Sequence, residues 1–93
     1  AIFGYGLGYM NFKNNTNLVS NTGVVAADTG GVGTARAYLA AAQYGADKAI
    51  FGYGWTGNFQ SMTNRVSNTG VVVSETTGVG TPREGLAAAS YGA

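Results

Sequence analysis

Hydrophobic residues along the chain fall in short runs, broken by links rich in Asn, Thr and Gly. From Ala49 to Tyr53, an extended backbone sets Ile50 and Gly52 on one face and Ala49, Phe51 and Tyr53 on the other. A run this short, with β-branched and aromatic residues and a closing glycine, predicts a strand. Gly54 to Ser61 is expected to be a loop. Thr63 to Ser67 and Gly70 to Ser74 flank Asn68-Thr69-Gly70, where Asn and Gly tolerate positive φ, and this predicts a tight hairpin. Thr16 to Ser20 and Val24 to Ala27 predict a second hairpin of the same kind. Thr76 to Thr81 is expected to be another loop, and Leu39 to Tyr44 and Leu86 to Tyr91 are predicted strands. The run Tyr38 to Gln43 is rich in good helix formers. Gly33 and Gly45 bound it closely, and so short a helix is marginal by itself, which favours a strand crowded by neighbours.

The whole pattern occurs twice. Ala1 to Gly6 returns at Ala49 to Gly54, 48 residues later. Ser20 to Val25 returns at Ser67 to Val72, and Leu39 to Ala42 at Leu86 to Ala89, both 47 residues later, so one residue is lost from the loop before Ser67. Two repeats follow, 1–48 and 49–93, each of four short strands in an all-β fold. A unit of this period cannot bury its own apolar faces, and about three or more must stack to be stable. Tyr91-Gly92-Ala93 is also in phase with Ala1-Ile2-Phe3. Such phasing is expected of protomers closing head to tail into a ring, or of a piece of a longer array.

Composition narrows the chemistry. At 93 residues the chain is near the size where core burial becomes marginal, and only 10% of residues are charged against a typical quarter. Five basic and four acidic residues supply no clustered charge for nucleic acid. No apolar run approaches a membrane span, and no signal-peptide pattern is present. With no Cys and no His, neither a disulfide framework nor the usual metal ligand or general base is on offer, so no metal, no cofactor and no enzyme activity is expected. Asn14-Asn15-Thr16 satisfies a glycosylation pattern that the second repeat lacks.

Read cyclically from Thr81, a unit runs Thr-Pro-Arg, a small apolar strand ending in Tyr-Gly, then Ala-Ile-Phe-Gly-Tyr-Gly, a loop and a hairpin. This order resembles a kelch repeat, and the period lies nearer to kelch, at about 50, than to WD40, at about 40 to 45. Gly4-Tyr5-Gly6 and Gly52-Tyr53-Gly54 stand where kelch repeats carry a Gly-Gly doublet, and the kelch Trp near the fourth strand is absent. The resemblance implies four-stranded antiparallel blades arranged radially as a β-propeller. On that analogy the chain breaks inside a blade, and Leu86 to Tyr91 pairs with Ala1 to Tyr5 of another copy. Ala1, Ile2, Phe3, Tyr5, Leu86, Ala88 and Tyr91 are then the oligomer interface. Six blades from a trimer are the first expectation and eight from a tetramer the second.

The candidate ligand sites each have a plainer alternative. Arg36 and Arg83, both after Gly-Val-Gly-Thr, either ring the mouth of a channel for anions or brace backbone carbonyls and acidic neighbours such as Asp28 and Glu75; bracing is favoured. Tyr5, Tyr53, Tyr9 and Trp55 either stack on a sugar or a partner protein or pack between units. The recurrence of Tyr5 and Tyr53 suits packing, and Trp55, which differs from its counterpart Leu7, is the better ligand candidate. The repeats differ most in the stretches Leu7 to Asn15 and Trp55 to Ser61. The leading expectation is a non-enzymatic structural or display module that assembles with itself. A multivalent, lectin-like binder of glycan or protein stands second, and a fragment of a longer virion or surface protein third. An extracellular or virion setting is mildly favoured.

Overall fold

The computed structural model describes residues 1–92; Ala93, the last residue of the second repeat, lies outside the described residues. The described chain is all-β and contains no helix, so the alanine-rich run is extended, as its closely spaced glycines predict. Strands β1 (Ile2–Leu7) and β2 (Phe12–Leu18) form one antiparallel sheet. Strands β3 (Ala40–Tyr44), β4 (Lys48–Trp55) and β5 (Phe59–Val66) form a second, in the order β3-β4-β5. β4 and β5 are the second-repeat counterparts of β1 and β2. β3 pairs with β4 from Ala40↔Gly52 to Tyr44↔Lys48, and no such strand covers the equivalent edge of β1 among the described residues.

The links after β2 and β5 are built alike from local chemistry. Ser20 Oγ accepts hydrogen bonds from the amides of Thr22 (3.3 Å) and Val24 (3.1 Å), and Gly23 takes a φ of 83°. Ser67 Oγ accepts from Thr69 and Val71 at the same distances, and Gly70 takes the same φ. The return arms differ from the expected strands. Val24 to Ala27 and Gly70 to Ser74 form only isolated bridges, at Val19↔Val25 and Val66↔Val72, with Thr16↔Thr29 and Thr63↔Thr76 beyond them. An asparagine side chain intrudes at this point: Asn17 Nδ2 donates to Ala26 O and Asn64 Nδ2 to Val73 O, both at 3.1 Å, which takes up a carbonyl that a regular ladder would use.

Two other expectations change. The loops placed at Leu7 to Asn15 and Gly54 to Ser61 shrink to short turns, because β1 runs to Leu7, β2 starts at Phe12, β4 runs to Trp55 and β5 starts at Phe59. The cross-strand pairs Leu7↔Phe12 and Trp55↔Phe59 close these hairpins, and the residue lost between repeats falls in the turn. Leu86 to Tyr91 forms no strand, since among the described residues no strand pairs with it to complete a ladder.

Alternation along β1 and β4 is interrupted at one tyrosine each. The register slips between Gly4 and Gly6 and between Gly52 and Gly54, with Tyr5 and Tyr53 both at φ 63°. A β-bulge of this kind bends the strand and re-aims a side chain. Left-handed backbone at a non-glycine residue costs about 1 kcal/mol or more and persists only where its surroundings hold it. Here the Tyr5 hydroxyl donates to Val32 O at 2.7 Å and that of Tyr53 to Val79 O at 2.8 Å.

Burial is sparse. Among the described residues the fully buried apolar side chains are Ala37, Phe51 and Val66, while Phe3, Leu7, Tyr9, Met10 and Tyr38 are among the large apolar residues left exposed. The accessible surface of 5895 Å² exceeds the roughly 5,000 Å² that a compact monomer of this mass presents. The body is a slab of 36 × 35 × 21 Å, with its small core at the junction of the repeats.

Candidate functional site

The most elaborate polar arrangement in the molecule lies where the first repeat meets the second. Arg36 is 0% exposed. Its Nε donates to Tyr53 O at 2.8 Å, Nη1 to Thr34 O at 3.0 Å and Nη2 to Asn64 Oδ1 at 2.9 Å. Its guanidinium lies 4.6 Å above the Tyr5 ring. One planar fork thus spans acceptors from both repeats and stacks on an aromatic face, a task suited to arginine and not to lysine. A buried charge is tolerable only when paired or fully hydrogen-bonded, and here carbonyls, an amide and a π-face meet that need without an ion pair.

Electrostatics follow from this burial. It pushes the Tyr5 hydroxyl above its ordinary value, with the Arg36 charge acting in the opposite direction. It also lowers Arg36 from its own ordinary value, with Tyr5 and Glu75 opposing. Glu75 accepts a hydrogen bond from the Thr34 amide across the junction. Partial burial would raise the Glu75 carboxyl, but the hydrogen bonds from Thr34 and the Arg36 charge outweigh it and hold the group below its ordinary value. At the end of β3, Lys48 Nζ pairs with Asp47 at 3.0 Å and holds that exposed carboxyl low.

Phe51 completes the junction. Its ring packs 5.1 Å from that of Tyr5, and Gly4 leaves the space it needs, since a methyl group there would come within 2.8 Å of the phenyl. A groove of about 620 Å³ opens beside this contact, between the β1–β2 sheet and the β3–β4–β5 sheet, lined by residues that include Ala1, Ile2, Leu18, Ala42, Phe51 and Ser67.

The structure joins some of the sequence candidates and separates others. Arg36 meets Tyr5 and Tyr53; Arg83 meets Tyr53, its guanidinium 4.4 Å above that ring. Trp55 packs edge-on against Phe59 at 5.0 Å, and Tyr9, 90% exposed, lies in the turn after β1. Among the described residues no hydrogen bond or aromatic contact links Trp55 or Tyr9 to either Tyr–Arg pair. Of the interface candidates, Ala1, Ile2, Phe3 and Tyr5 lie on or beside β1; Leu86, Ala88 and Tyr91 lie in the segment without a strand partner. Sequence reasoning missed Asn64, Thr34 and Gly4. A signal for the first existed, since Thr16-Asn17 recurs as Thr63-Asn64. Comparison of the chain with protein families, with curated proteins and with solved structures finds no match.

Proposed function

We propose that this chain is a non-enzymatic structural or display module whose kelch-like units complete a symmetric β-propeller by joining copies of the same chain. The observation that carries this reading is the contrast between the covered β4 edge and the bare β1 edge, two strands of nearly identical sequence. An open strand edge with apolar neighbours is a template for association. Side chains suited to acid-base or nucleophilic chemistry are scarce, and Arg36 is occupied in bracing the fold. Three chains closing six blades is the first arrangement and four closing eight the second.

Native mass spectrometry tests it. A discrete trimer of the 9.4 kDa chain is the expected result. A tetramer moves the blade number to eight, and a folded monomer at micromolar concentration overturns the reading. A second reading, a multivalent binder of carbohydrate or protein, is favoured by the exposure of Tyr9 and Met10 at one hairpin tip. A glycan array in which binding is lost in Tyr9→Ala or Trp55→Ala supports it.

A further inference from the structure

The junction inside the chain is a complete template for a junction between chains. Arg83 is already in the Arg36 conformation: Nη1 donates to Thr81 O at 3.0 Å, and the guanidinium sits over Tyr53 as that of Arg36 sits over Tyr5. Among the described residues its Nε and Nη2 make no hydrogen bond, although the same atoms of Arg36 reach Tyr53 O and Asn64 Oδ1. The matching acceptor is Asn17. Its Nδ2 holds Ala26 O as Asn64 holds Val73 O, and its Oδ1 accepts nothing among the described residues.

The apolar parts correspond in the same way. Phe51 is 4% exposed against Gly4 and Tyr5, whereas its counterpart Phe3 is 63% exposed. Gly52 and Tyr53, the counterparts of Gly4 and Tyr5, have no phenyl ring on them; a methyl group at Gly52 would meet only Thr63 Cγ2, at 3.1 Å. Leu86 to Ala89 repeats the residues Leu39 to Ala42 that begin the strand on β4, and its small side chains suit a groove already narrowed by Ala41 and Ala42.

Among the positions that depart from the template, two differ in charge in a complementary way. Glu84 stands where Ala37 is buried, and Lys13 stands where Gln60 pairs with Gly54. A carboxylate at the Ala37 position needs a cation, and the Lys13 side chain arches over Gly8, next to Leu7, the counterpart of the Trp55 that bridges Ala37. The junction within the chain is neutral at these two places, and the one between copies carries opposite charges.

Resting on the self-assembly reading, we propose that the β1 edge and its groove are the docking site for Thr81 to Tyr91 of a second copy, with Arg83 of that copy clasping Asn17. The register is that of the β3–β4 pair: Ala41↔Phe51 becomes Ala88↔Phe3, and Ala42↔Ile50 becomes Ala89↔Ile2. Specificity for the same chain comes from the clasp and from the Glu84–Lys13 pair, neither of which an unrelated apolar strand supplies.

Because the chain has no cysteine, the register is directly testable. Oxidation of the Phe3→Cys/Ala88→Cys variant, and of Ile2→Cys/Ala89→Cys should Phe3 itself be needed for association, is expected to link chains covalently. The Phe3→Cys/Ala87→Cys variant, whose thiols face opposite sides of a two-residue repeat, is expected to stay unlinked. Arg83→Ala is expected to weaken association about 100-fold, at two charged hydrogen bonds of about 1.5 kcal/mol each, and to leave the circular dichroism of the dissociated chain unchanged. Oligomers that form without register-selective cross-linking, or that keep full affinity in Arg83→Ala, overturn this docking mode and leave the ring reading standing. A monomeric native mass overturns both.

Discussion

Phe51 and Phe3 stand at equivalent places in β4 and β1, as Arg36 and Arg83 do in the segments that follow the Gly-Val-Gly-Thr motif. One phenyl ring and one guanidinium are buried; their counterparts face solvent. The backbone of the Gly-Tyr-Gly bulge is nearly the same in both repeats, with a φ of 63° at Tyr5 and at Tyr53. What differs is the neighbour. A unit of this kind contributes half of each core and receives the other half from the next unit, so stability is a property of junctions more than of repeats. Among the described residues, the buried apolar side chains Ala37, Phe51 and Val66 gather where the two repeats meet.

Substitutions at matched positions separate the two surroundings, if stability is measured by urea unfolding at a dilution that keeps chains apart. Phe51→Ala is expected to cost about 3–5 kcal/mol, as for a buried aromatic, and Phe3→Ala within about 0.5 kcal/mol of zero. Equal costs would mean that the two phenyl rings share one environment. Arg36→Ala follows at about 3 kcal/mol, because it leaves Asn64 Oδ1 and Tyr53 O without a partner in a water-poor site, whereas Arg83→Ala is near neutral for the separated chain. Gly4→Ala drives a methyl group into Phe51 and Thr16 and is expected to cost about 1–3 kcal/mol; Gly52→Ala, which meets only one Thr63 methyl, costs less.

The smallest expected effect is on pH dependence. The Glu75 carboxyl is held below its ordinary value of 4.5 by Thr34 and Arg36, so its contribution to the junction is complete above that pH and is lost as pH falls through the lower folded value. Thermal melts from about pH 6 down to about pH 2.5 should show a decline that Glu75→Gln flattens. An unchanged slope in that variant would remove Glu75 from the junction. Since the group is exposed and screened, the difference between the two curves is expected to be small.

Much of the local structure is legible in the residues themselves. The turns at Ser20 and Ser67 close through a hydroxyl and a glycine within a few residues, and the strand from Ala49 is announced by its alternation and its β-branched and aromatic side chains. The shift from a 48-residue to a 47-residue spacing points to a shortened loop, found in the hairpin turn after β4. The bulges at Tyr5 and Tyr53 are harder to anticipate: a tyrosine between two glycines reads as ordinary alternation until Val32 O and Val79 O are seen to hold its hydroxyl. The irregular return arms are hidden for a similar reason, since Asn17 and Asn64 act on carbonyls nine residues away.

Strand positions, turns and the repeat itself therefore follow from short-range chemistry, because each depends on atoms a few residues apart. Burial does not. Whether a given Phe or Arg is covered depends on which unit lies beside it, and two nearly identical segments differ here because, among the described residues, β3 lies on β4 and no strand lies on the same edge of β1. The placing of Arg36 on Tyr5, of Phe51 on Gly4 and of Glu75 beside Thr34 joins residues far apart in the chain, and it is packing between sheets that selects those partners from the many that composition allows.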